Sequence, residues 1–228
     1  MLLNPLYLSA GFMATVLLSF YFLLKATKGN KIVAGIIIAW MIIQGIIAST
    51  GFYTDTHTMP PRFMTLLLPP FILMIMLFLT NKGRRFIDSL DTEQLTWLHI
   101  VRIPVEICLF LLYTYQLVPQ LMTFEGINFD ILSGLTAPFI AYFGYRKKQF
   151  GKPILLSWNL ICLGLLVNIA YHGILSVPTS FQKFGFEQPN IALTYFPYHF
   201  LPGLIVPLVL FAHLVCMRKL LLRNEQRL

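Results

Sequence analysis

Charge is what this sequence has least of. Only 11% of its 228 residues are Asp, Glu, Lys or Arg, against the roughly 25% that a soluble domain uses to cover its surface. An ordinary soluble fold is therefore excluded. Cysteine is nearly as scarce. Cys108, Cys162 and Cys216 fall in three separate apolar stretches, so neither a disulfide framework nor a paired-cysteine redox or zinc motif is present. No polar linker or low-complexity run divides the chain, which reads as one domain over residues 1–228. Also missing are a glycine-rich phosphate loop, a Ser-His-Asp order and two histidines at helical spacing. The strict alternation of a membrane-barrel strand is absent too.

What is present is apolar residues in long blocks, giving a mean hydropathy of +0.73. The blocks run near Leu6–Leu24, Ile32–Tyr53, Phe63–Thr80, Leu95–Val118, Phe129–Tyr145, Ile154–Val177 and Pro197–Met217. Each has about the 17–25 residues that a helix needs to cross the hydrocarbon layer. Backbone groups in lipid must be satisfied within the segment, so helix is the reading for all seven. The fifth is the weakest: Asn128 and Asp130 crowd its start, and Gly134 and Pro138 interrupt it. The expected fold is an all-α integral membrane protein of seven transmembrane helices.

Lys and Arg set the expected orientation. Fourteen of the 17, in the clusters Lys25–Lys31, Lys82–Arg85, Arg146–Lys152 and Arg218–Arg227, fall on alternating connections. Cytoplasmic loops retain basic residues, which puts the N-terminus outside, the C-terminus in the cytoplasm and the chain in the cell (inner) membrane. The net charge of +8 is then a topology signal and an attraction to the lipid bilayer surface, with no nucleic-acid footprint. The first block lacks a basic leader and is followed by lysines, so it reads as a retained helix. The sequence leaves oligomeric state open.

The two ends of the chain also resemble each other. Trp40, Pro60 and Phe63 precede Trp158, Pro178 and Phe181 by 118 residues, and Leu68-Pro69 precedes Leu201-Pro202 by 133. This spacing suggests parallel three-helix repeats over 1–85 and 127–220, joined by a connector helix at 92–120. The three-plus-one-plus-three layout resembles that of the SWEET sugar transporters in topology and size. The resemblance implies a cavity between two halves, lined by Trp40 and Trp158. It departs from those transporters in its prolines, of which only Pro138 falls well inside one of the helices concerned.

Ionisable groups within spanning helices are costly and mark function or pairing. The fourth block carries His99, Arg102 and Glu106 within about 60° of one helical face, with Tyr113 on it too. Arg102 and Glu106, four apart, are positioned to pair, and Asp91 to cap the helix start. Trp97 is placed to anchor at the interface. On the sixth block Asn168 and His172 share a face, and Asn159 lies deeper. The candidate ligand-binding residues are thus Trp40, His99, Arg102, Glu106, Tyr113, Trp158 and Asn168.

A second reading uses the histidines. His172 with His199, and His99 with His213, form two pairs at two depths, the arrangement for axial ligation of two haems. Outer-loop Asp55, His57, Glu125, Asp130 and Glu187 add donors suited to zinc or iron. The functional expectation is small-molecule binding or transport through a cavity between two halves. The alternative is a metal- or haem-dependent membrane enzyme or electron carrier.

Overall fold

The computed structural model describes residues 5–222; the basic residues Arg223 and Arg227 lie outside them. Among the described residues the chain is all helical, without strands. The helices are α1 (Leu6–Ala26), α2 (Lys31–Ser49), α3 (Met64–Leu79), α4 (Asn81–Ser89), α5 (Thr92–Thr114), α6 (Ile131–Phe139), α7 (Lys152–Leu175) and α8 (Leu201–Leu222). Five of them, α1, α2, α5, α7 and α8, are long and apolar enough to cross a membrane, and α3 with α4 makes a sixth if that bent pair is one span.

Two of the seven apolar blocks do not fold as plain spans. The third ends at Thr80, where the axis turns by 95° into α4. Thr80 serves both helices: its N–H closes α3 on the Met76 carbonyl at 3.0 Å, and its Oγ1 accepts from Gly83 N at 3.1 Å to cap α4. Gly83 is required at this corner, because a Cβ there would sit 2.3 Å from the Leu77 carbonyl oxygen. The fifth block is cut short. α6 begins only at Ile131 and widens into a π-helical segment, Ile140–Arg146, two residues past Pro138.

The fourth block is the centre of the molecule. α5 packs along α1, α6 and α8, and 61% of its apolar window is buried, as in α8. An expected connector standing apart between two bundles is therefore corrected: α5 is the core against which the other helices pack. Asp91 caps it as the sequence suggests, accepting from Glu93 N and Gln94 N, while its own N–H bonds the Ala26 carbonyl and ties α5 to the end of α1.

α2 is the loosest helix, with 11% of its window buried. One polar contact fastens its middle. Pro207 has no N–H to give to the carbonyl four residues earlier, and that carbonyl, of Gly203, accepts instead from the Trp40 indole Nε1 at 2.9 Å. Trp40→Phe removes the donor and strands the carbonyl in an apolar setting. We expect a loss of about 1–3 kcal/mol in detergent unfolding. Trp158→Phe, whose indole bonds the exposed Thr136 hydroxyl, should cost less. Equal losses would contradict this role for Trp40.

A buried charged cluster beside a small cavity

Arg102 lies nearly three turns into α5 and is buried. A guanidinium there needs acceptors, and its two terminal nitrogens have them. Its Nη1 donates to Asp130 Oδ1 at 2.8 Å and to the Cys162 carbonyl at 3.3 Å. Its Nη2 donates to His213 Nε2 at 3.1 Å. Arg102 is always a donor, so Nε2 of His213 must be the acceptor nitrogen, and the ring proton sits on Nδ1. That proton has its acceptor: Nδ1 lies 2.9 Å from Asn159 Oδ1, and the Asn159 amide nitrogen is turned away onto the Leu155 carbonyl at 2.8 Å. Arg102 thus joins α5, α6, α7 and α8 through one relay of buried groups, with His213 neutral.

Glu106 does not belong to that relay. The expected Arg102–Glu106 pair is corrected: the carboxylate turns instead to Asn128, whose Nδ2 lies 2.7 Å from each carboxylate oxygen. Asn128 is itself locked, donating to the Met122 carbonyl at 2.9 Å and accepting from Asp130 N at 3.1 Å. The segment 119–130 therefore folds back to the depth of Arg102 and Glu106, which explains the short α6. Close helix contact makes the pairing possible. A Cβ on Gly134 would meet Ile103 Cγ1 at 2.8 Å and Arg102 Cβ at 3.3 Å, so a glycine lets α6 approach α5.

Beside the cluster lies a cavity of about 80 Å³. Arg102, Glu106 and Asp130 contribute to its wall, and the rest is apolar, with Leu67 and Phe71 from α3, Ala170 from α7, and Ile205 and Val209 from α8. The π-helical turn of α8 contributes Leu201, Pro202 and Ile205 to the same wall.

The structure distributes the other candidate residues differently from the sequence reading. Trp40 lies against Gly203 of α8, and Trp158 packs its ring on His99 at 5.5 Å and His213 at 5.7 Å; neither Trp lines the cavity. Tyr113 packs near Phe110, and its carbonyl accepts from Gln188. Asn168 donates to the Ile127 carbonyl, and His172 bonds the Asn168 carbonyl and packs on Phe184. His199 is enclosed by Tyr53, Phe196 and Phe200. His172 and His199 thus sit in separate surroundings.

The other haem pair fails for a different reason. The His99 and His213 rings stack at 4.0 Å, leaving no gap for a porphyrin plane between them, and both His213 nitrogens are already bonded. The loop donors do not gather either. Asp55 pairs with Arg62 at 2.8 Å and Asp130 with Arg102. Among the described residues no three His, Cys, Asp or Glu side chains are placed to hold a metal ion. Asn128 and Asp130, which the sequence places at the start of the fifth block, are the partners of the buried charges. The available signal was their position at the head of the weakest apolar block, facing an Arg and a Glu in need of neighbours.

These features define a polytopic helical membrane protein with a charged cluster buried against a small cavity. The chain belongs to the family described as Domain of unknown function (DUF8737), which matches residues 60–221. Among curated proteins and among solved structures, none matches the chain.

Proposed function

We propose that this protein is a carrier in the cell membrane that binds a small cation in the cavity beside α5 and exchanges it for a proton on Glu106. In this reading all seven apolar blocks cross or enter the bilayer, with the N-terminus outside and the C-terminus cytoplasmic. The support for that orientation is the 14 of 17 basic residues on alternating connections.

The observation that carries the reading is the charge count at the cavity wall. Arg102 and Asp130 neutralise each other at 2.8 Å, and His213 accepts from Arg102 as a neutral ring. Glu106 is left with an amide donor and no bonded cation. A buried carboxylate in that position holds a proton or takes a cation, because an isolated charge costs far too much to desolvate. A protonated amine entering the cavity would displace the proton and restore neutrality. The apolar walls suit a small alkyl group. α3 and α8, both of which contribute to the wall, are interrupted by proline, and the carbonyls that proline frees allow such helices to bend.

Titration of detergent-solubilised protein with ethylammonium in weakly buffered solution tests this. The expected result is saturable binding with release of about one proton per cation; a charge-assisted contact of about 1.5–3 kcal/mol predicts roughly 10–100-fold weaker binding in Glu106→Gln. Binding without proton release, or unchanged binding by Glu106→Gln, would rule the proposal out.

A further inference from the structure

The side of α8 away from the charged cluster presents a second feature. α2 stands off from α3 and α8 and leaves an apolar groove of about 570 Å³, bridged at mid-height by the Trp40–Gly203 contact. The groove is nearly devoid of polar lining, so it suits an apolar chain.

Its mouth is marked by charge. At one end the lining residues are Leu23 and Val33, which flank the α1–α2 turn, and Leu77 and Phe86, which flank the α3–α4 bend. The first turn carries Lys25, Lys28 and Lys31, tightened by left-handed backbone at Lys28 (φ 55°) and Gly29 (φ 73°). The second carries Lys82, Arg84 and Arg85 on α4. No Asp or Glu lies within either run, and among the described residues none of the six forms an ion pair. Lys25 lies over the Tyr21 ring and Arg84 bonds Asn81. Lys28, Lys31, Lys82 and Arg85 are exposed. α4 turns Gly83 and Ile87 inward, with Phe86 partly buried, and its basic residues outward. The 95° bend therefore lays a cationic shelf across the end of the groove.

We propose that the groove between α2, α3 and α8 is a binding site for one anionic phospholipid, its acyl chain beneath Trp40 and its phosphate held by Lys28, Lys31, Lys82 and Arg85. Bilayer attraction to basic loops is diffuse; here two basic turns converge on one apolar slot, which makes a discrete site. The lipid would fill the space that α2 leaves against the bundle. This inference is independent of the cation-exchange reading, since it shares no residue with the cavity beside α5.

Native mass spectrometry of the full chain, released from micelles holding equal phosphatidylglycerol and phosphatidylcholine, tests it. The wild-type protein should retain one phosphatidylglycerol with at least a tenfold preference. The variant Lys28→Gln/Lys31→Gln/Lys82→Gln/Arg85→Gln should lose the preference, and Ala39→Trp, which fills the groove, should lose the bound lipid while keeping its thermal transition. Equal retention of the two lipids by wild type, a preference that survives the fourfold change, or lipid that survives Ala39→Trp would each overturn the site.

Discussion

Arg102→Leu is expected to destabilise the protein by about 3–5 kcal/mol, because it leaves the Asp130 carboxylate buried without its cation. It also removes the donor to His213 Nε2 and to the Cys162 carbonyl. Neutralising the stranded partner should recover most of the loss: Arg102→Leu with Asp130→Asn keeps the shape of the acid and discards its charge. Arg102→Leu with Glu106→Gln should recover little, because Glu106 bonds Asn128 and not Arg102. The helical four-residue spacing alone predicts the opposite ranking. Unfolding midpoints of the wild type, the single variant and the two double variants in one detergent decide the matter. Rescue by Glu106→Gln and not by Asp130→Asn would show that the guanidinium is oriented differently from the structure.

That contrast shows where sequence reasoning stops. The polar face of α5 is legible, since three ionisable residues at helical spacing inside an apolar block are conspicuous. Their partners are not, because pairing rules for helices reach only three or four residues along the chain. Asp130 lies 28 residues from Arg102, and His213 lies 111 away. Hydropathy places Asn128 and Asp130 at the start of the weakest span, and nothing in a one-dimensional profile says that the chain carries them inward there.

The prolines were more informative. A carbonyl freed at Gly203 follows from Pro207 alone, and the fold supplies Trp40 as the donor. The amphipathic helix α4 was readable in principle, for Gly83, Phe86 and Ile87 recur at three- to four-residue spacing among charges. It was hidden by the assumption that a basic stretch between apolar blocks is a loop. The supposed connector failed on burial: α5 is apolar on most faces because it is surrounded, a distinction that composition does not carry.

The central claim is that Glu106 trades a proton for a cation at the cavity wall, and its largest consequence is a flux. In proteoliposomes with a pH-sensitive dye inside, an inward gradient of tetramethylammonium, which crosses lipid poorly, should drive protons outward and raise the internal pH. Glu106→Gln should reduce that exchange to the level of empty liposomes. The variant should unfold no earlier than wild type, since it replaces the protonated carboxyl by a neutral amide of similar shape that keeps a side-chain oxygen for the Asn128 amide. Ala170→Phe, which fills the cavity and leaves every residue of the charged cluster in place, should silence exchange as well. Cation-driven alkalinisation that depends on Glu106 is the predicted result; exchange that persists at wild-type rate in Glu106→Gln, or wild-type protein that moves no protons against any small cation gradient, would contradict the account.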